Sequence, residues 1–158
     1  MFREMRRFKQ QISEEKCIEL LKQEPRGILS VLGDEDYPYG VPMDFFYDEK
    51  EHGIYFHCAR QGHKLDAISR HDKCTFCIYD QGFQKEGEWL LHIQSVIVFG
   101  RIHIVEDEGK RIEKVRAIGR KYYPEAAAVE EEIARGADCM CILKMKIEHM
   151  TGKLVKES

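Results

Sequence analysis

The chain reads as a mainly β protein with peripheral helices, folded as a closed or nearly closed antiparallel barrel of about six strands. Three observations point there. Apolar residues recur with period two in short runs, as in 27–32 and 54–58, joined by short polar turns, which is the pattern of a meander. Helical spacing is confined to a few segments, and no strand–helix–strand alternation builds a parallel sheet. No repeat, low-complexity tract or linker divides the sequence, so residues 1–158 form one domain.

The elements follow in order. Residues 1–11 are basic, with Arg3, Arg6, Arg7 and Lys9; they are either an arm lying on a partner subunit or a solvated terminus. Ser13 is a good helix N-cap, Glu14 and Glu15 suit the first turn, and Cys17, Leu20 and Leu21 form an inward stripe. Pro25 and Gly27 end that helix. Strands then span 27–32, 39–47 and 54–58, separated by turns at 33–36 and 48–53. A helix over 63–70 interrupts the meander and a strand at 74–79 resumes it. After a loop at 81–88 comes a long strand over 89–105, in which Gly100 marks a bulge or bend. Ile112, Val115, Ile118 and Tyr122 have helical spacing. Pro124 opens a further helix that Gly136 closes. The last strand is 139–148, followed by a polar tail.

Bulk composition narrows the function classes. With 43% hydrophobic and 34% charged residues and a formal charge of −3, the protein has no field that would attract nucleic acid or an anionic membrane. No apolar run approaches the roughly 20 residues of a membrane span, and no apolar signal core follows the N-terminal charges. The expected location is the cytoplasm.

Six cysteines raise the question of disulfides or metal. Cys74 and Cys77 lie three apart on a strand and point to opposite faces, so they cannot share one ion. Cys139 and Cys141 share a face but make an incomplete ligand set. All six are expected as buried or half-buried small hydrophobes, with no metal site. Seven histidines lie between His52 and His149 without ligand spacing; His52, His71 and His92 are expected to face solvent.

Two places suit chemistry. In 54–58, Ile54, Phe56 and Cys58 face the core while Tyr55 and His57 face outward. In the long strand, Val96, Val98, Ile102 and Ile104 take the core side. Ser95, Ile97, Phe99, Arg101 and His103 take the other, a mixed face suited to a subunit interface or a flat aromatic ligand, or simply scattered surface hydrophobes. The second place is the turn Gly62-His63-Lys64 at a helix start. Unpaired N–H groups, the helix dipole and the Lys64 charge suit a phosphate there. The same turn also reads as a tight corner whose side chains face water. No nucleophile–base–acid set is present, so an enzyme of this sequence would rely on a cofactor.

Four separated motifs then stand in register. They are 37–42 (YPYGVP), 54–59 (IYFHCA) with 62–67 (GHKLDA), 95–100 (SVIVFG) and 147–153 (IEHMTGK). In this order and spacing the chain resembles the pyridoxamine 5′-phosphate oxidase-like FMN-binding split-barrel flavoproteins, and within them the Nim nitroimidazole-resistance branch. The resemblance covers nearly the whole chain. It implies a homodimer with FMN at the subunit interface. The implied cofactor-binding residues are Tyr39, Gly40, Val41, Pro42, His57, Cys58, Ala59, Gly62, His63, Lys64 and Ser95. His57 falls where the Nim branch has an active-site histidine, to act as a donor or as a neutral wall of the pocket. The oxidases proper carry an Arg-Lys pair where this chain has His63-Lys64, and their pyridoxal-binding residues near the C-terminus have no match here. The implied activity is reduction of small electron-poor aromatics such as 5-nitroimidazoles. The alternative is a flavin- or haem-binding carrier or sensor of the same fold.

Overall fold

A computed structural model describes residues 1–123, 125–136 and 139–157. Pro124, expected to open a helix, lies outside them. The core of the molecule is one curled antiparallel sheet. Its strands are β1 (Gln11–Ile12), β2 (Arg26–Leu32), β3 (Pro38–Asp44), β4 (Phe46–Asp48), β5 (Gly53–Ala59), β6 (Lys73–Tyr79), β7 (Phe83–Gln84), β8 (Leu91–Ile104) and β9 (Met140–Glu157). The main path runs β3-β2-β6-β8-β9-β5-β4, with β1 on β9 and β7 on β8. The helices are α1 (Glu14–Gln23), α2 (His63–Arg70), α3 (Glu108–Tyr122) and α4 (Ala126–Gly136). This is the expected mainly β split barrel.

Its strand count exceeds the expected six for local reasons. The run read as one strand over 39–47 breaks at Phe45. Before the break it pairs with β2, and after it with β5. The two ends of the sheet path are therefore consecutive in sequence. Phe45 is fully buried; its ring meets Phe76 edge-on at 4.8 Å. The Tyr122 hydroxyl accepts the Phe45 N–H at 2.8 Å and lies 2.5 Å from the Pro25 carbonyl.

The tail beyond residue 148 is strand, not a loose polar end. β9 pairs with β8 from Leu91 to Ile104 and also with β5 and β1. Partners jump from Phe99↔His149 to Gly100↔Ile147, so Glu148 is the extra residue of a bulge. Gly100 sits at this bulge because a Cβ there would fall 2.2 Å from the Lys146 carbonyl oxygen. Further along β9, Gly152 lets α1 close down on the sheet: a Cβ would meet Cys17 Sγ at 2.5 Å. The α1 cap is as expected, with Ser13 Oγ accepting the Lys16 N–H, and Cys17, Leu20 and Leu21 are buried.

Two cores result. The larger fills the barrel with residues such as Leu29, Phe45, Phe56, Phe76, Val98 and Leu143. The smaller lies under α3 and contains Tyr55, Val105, Val115, Ile118 and Ile142. Tyr55, expected to face outward, is 0% exposed because α3 covers that face of β5. Its hydroxyl donates to Glu51 at 2.8 Å. Ile104, expected in the core, is 46% exposed, and Val105 takes the buried place beside Ile142. His92, expected in solvent, is 1% exposed, held between the Phe83 ring and the Glu88 carboxylate at 2.7 Å. Cys139 is exposed, unlike the other five cysteines, all of which are buried or half-buried as expected.

An ion cluster fastens α3 to the β4–β5 turn. Lys114, 2% exposed, has its Nζ 2.7 Å from Asp48, 3.0 Å from Glu51 and 2.8 Å from Glu113. Lys110 and Lys144 add bonds of 2.7 and 2.6 Å to Glu51. These two ammonium groups hold the Glu51 carboxyl far below its ordinary range. The carboxylates of Asp48, Glu51 and Glu113 lie within 4.8 Å of one another, but Lys114 already sits among them.

The N-terminal arm lies on its own sheet: Phe2 stacks on His149 at 4.6 Å and meets Phe99 at 5.4 Å. Among the described residues no helix is long and apolar enough to cross a membrane.

Candidate functional site

A groove of about 500 Å³ opens where the β3 edge, the end of β5, the start of α2 and the start of β9 converge. It is lined by Pro42, Met43, Asp44, His57, Cys58, Ala59, Lys64, Cys139 and Met140. Five predicted residues from three separate segments meet here: Pro42, His57, Cys58, Ala59 and Lys64.

Each is placed by its local sequence. Pro42 is exposed on β3, which ends the sheet path, where a missing N–H costs no ladder bond. On β5, alternation puts Phe56 into the core and turns His57 out, as expected. Among the described residues His57 has no hydrogen-bond partner, so its ring nitrogens are available to a ligand. β5 then ends in a turn that needs Gly62, at φ 130°, before α2 begins. A Cβ at Gly62 would meet nothing within 4 Å, so the space before the helix is open. Gly62 is also the N-cap and offers no side-chain cap to the first N–H groups of α2. Lys64, half-buried, adds its ammonium, whose partner is the soft Met43 sulfur at 3.4 Å. Uncapped N–H groups, a helix dipole and a weakly engaged cation suit an anion at this end of the groove.

Cys58 shares the groove and stands opposite Cys141 across the β5–β9 ladder. Burial pushes its thiol up to about 11 and the Cys141 sulfur adds to the rise, against the opposing pull of Lys64. Cys58 is therefore a neutral thiol at pH 7, not a nucleophile.

The other predicted residues do not line the groove. His63 faces Gly33 and Asp34: its Nε2 accepts the Asp34 N–H at 3.3 Å, and its ring stacks on Tyr39 at 4.2 Å. Gly40 and Val41 sit farther up β3, Gly40 on its exposed side. Ser95 lies on β8 between Tyr79 and Lys153. The sequence reading missed Met43, Asp44, Cys139 and Met140, which line the groove. Alternation gave a signal for Asp44 alone, on the same outward face as Pro42.

The family model for pyridoxamine 5′-phosphate oxidase matches residues 13–154. The chain belongs to that family. Solved structures with the same fold include a Bacteroides thetaiotaomicron protein named for 5-nitroimidazole antibiotic resistance. It is 19% identical at a TM-score of 0.76, over 92% of this chain and 87% of that one. A FAD-binding protein from Mycobacterium smegmatis is 19% identical at 0.68, over 94% and 99%. A FAD- and haem-binding protein from the same organism is 18% identical at 0.73, over 92% and 73%. At these identities the likeness is one of fold. No curated protein matches the sequence.

Proposed function

We propose that this member of the family is an FMN-dependent reductase of small, electron-poor aromatics such as 5-nitroimidazoles, working as a homodimer in the cytoplasm. The observation that carries the reading is the groove, where the uncapped helix start at Gly62–Lys64 lies near His57, which has no hydrogen-bond partner among the described residues. The groove's residues fit a flavin phosphate: Lys64 and the first N–H groups of α2 bind it, and Pro42, Cys58 and Ala59 bound the ring. Flavin, when bound, supplies the two-electron chemistry that the side chains cannot. His57 donates a hydrogen bond or proton to the charge that builds on the acceptor. Because His63 is engaged by Asp34 and Tyr39, phosphate binding rests on Lys64 and the backbone.

The dimer has its own support. Ile28, Cys77 and Ile97 lie side by side across β2, β6 and β8. All three are incompletely buried, and Ile97 is 37% exposed. Such a row on a sheet face suits a second copy.

Purified protein should show flavin absorbance and run as a dimer by light scattering. Its reduced form should be reoxidised by a 5-nitroimidazole faster than by anaerobic buffer, measured by stopped flow. His57→Ala should keep the flavin and slow that step by roughly 10²- to 10⁴-fold, the range of general acid catalysis. Equal reoxidation with and without the nitroimidazole would remove the reductase reading. A Soret band without flavin would replace it with a haem carrier.

A further inference from the structure

Cys58 and Cys141 stand directly opposite each other in the β5–β9 ladder. Among the described residues no other two cysteines are register partners. Cys17 packs against Gly152, Cys74 faces the Gly100 carbonyl at 3.7 Å, and Cys77 stands between Ile28 and Ile97.

Opposed residues of an antiparallel pair have Cα atoms about 4.5 or 5.5 Å apart, and both spacings fall inside the range of about 4.4–6.8 Å that a disulfide spans. The two sulfurs are already close enough for a hydrogen bond between them. The Cβ atoms of such a pair are roughly 4.5–5.5 Å apart and must close by up to about 1 Å for the bond to form. The ladder ends one pair later, at Ala59↔Met140, so the strands are free to draw together there. A bond made this way carries strain and is easily reduced.

One thiol is reachable and the other is held behind it. Cys58, half-buried, lines the groove, whereas Cys141 is buried. Lys64, on the same groove wall, favours the Cys58 thiolate over the thiol. We propose that Cys58 and Cys141 form a reversible oxidation site, closed to a disulfide by a small peroxide that enters the groove.

The step balances in two parts. The Cys58 thiolate attacks one peroxide oxygen; the O–O bond breaks, and the departing hydroxide takes a proton to become water. Cys58 is then a sulfenic acid. The Cys141 sulfur displaces its hydroxyl: the S–O bond breaks, the S–S bond forms, and the Cys141 proton leaves with the hydroxyl as a second water. Two thiols have lost two electrons to one peroxide. Neither part needs a flavin. Because burial holds the Cys58 thiol at about 11, its thiolate fraction is small at pH 7 and grows about tenfold per pH unit up to pH 10.

The purified protein is treated with hydrogen peroxide, alkylated in denaturant and mapped by mass spectrometry without reduction. The wild type should keep four of its six alkylatable thiols and yield a Cys58–Cys141 peptide pair that dithiothreitol returns to thiols. It should run as a monomer on a non-reducing denaturing gel. Closure should be about tenfold faster at pH 8 than at pH 7. Cys139→Ser, at the exposed thiol of the same groove, should keep the cross-link, and Cys58→Ser should abolish it. Six surviving thiols, a bond to Cys139, a cross-link between chains, or Cys58 oxidised past rescue by dithiothreitol while Cys141 stays alkylatable would each overturn the proposal. An equal rate at pH 7 and pH 8 would also overturn it. The wild-type map decides the matter even where Cys58→Ser fails to fold.

Discussion

Replacing Tyr122 by Phe removes one oxygen and leaves the ring. That oxygen accepts the Phe45 N–H at 2.8 Å. Its own proton has two carbonyls to choose from, Pro25 at 2.5 Å and Phe45 at 3.0 Å. Phe45 is buried between two ladders: β3 ends at Asp44 and β4 begins at Phe46. Neither ladder can take over the orphaned N–H, so its desolvation cost of about 1–3 kcal/mol appears in full. Pro25 is exposed, and water replaces the hydroxyl there at little cost. For a domain of this length, each kcal/mol lowers Tm by about 2–4 °C, so Tyr122→Phe should melt roughly 2–12 °C below the wild type. Calorimetry and urea titration measure it, with an unchanged urea slope showing that the same surface unfolds. Tyr123→Phe, at an exposed neighbour, is the control and should stay within about 0.5 kcal/mol. A Tyr122→Phe melting point within 1 °C of the wild type would show that the hydroxyl does not hold this corner.

Lys64→Ala should weaken FMN retention by about 1.5–3 kcal/mol, the value of a charged hydrogen bond, or roughly 10- to 150-fold in Kd; unchanged affinity in fluorescence titration would remove Lys64 from the site. Glu51 is ionised in the fold well below its ordinary range, so its contribution is present above about pH 5 and fades as pH falls through the acid range. Acid titration of Glu51→Gln should therefore show a shallower loss of stability below pH 5 than the wild type, and parallel curves would refute the cluster's role. Burial pulls the Lys121 ammonium down to about 8, against the opposing charges of Asp44 and Glu24. The unfolded chain binds that proton first, so stability should fall as pH drops from about 10.5 to about 8 and then level off. Carbon-13 methyl-lysine spectra should show this lysine titrating about two units below the rest; a common midpoint near 10 would count against it.

Much of the barrel was legible because alternation and turn chemistry act locally. Ser13, Gly62 and Gly100 each announced a cap, a corner or a bulge that the fold contains. The break at Phe45 was not legible. Met43, Phe45 and Tyr47 keep the same inward alternation through it, so nothing in the pattern marks a change of partner. Strand pairing of 149–157 was hidden by Thr151, Lys153 and Lys156, polar residues that a sheet tolerates on its open face. The burial of Tyr55 depends on α3, which arrives from more than 50 residues away, and local spacing carries no trace of it. The same holds for the site. The corner at Gly62–Lys64 and the outward turn of His57 are local facts. The stacking of His63 on Tyr39 and the approach of Met140 are long-range ones.

Phe45 joins the first and last members of the sheet path through a peptide link. Each half of that run belongs to a short hairpin, one with β2 and one with β5, and both hairpins can form early from neighbours in sequence. The seam itself thus needs no distant partner, and the loop-closure entropy of the barrel falls instead on the β5–β9 ladder, which pairs Gly53 with Lys146. A pulled molecule should give way at its short ladders, the three pairs of β2–β6 or of β4–β5, ahead of the fourteen pairs of β8–β9.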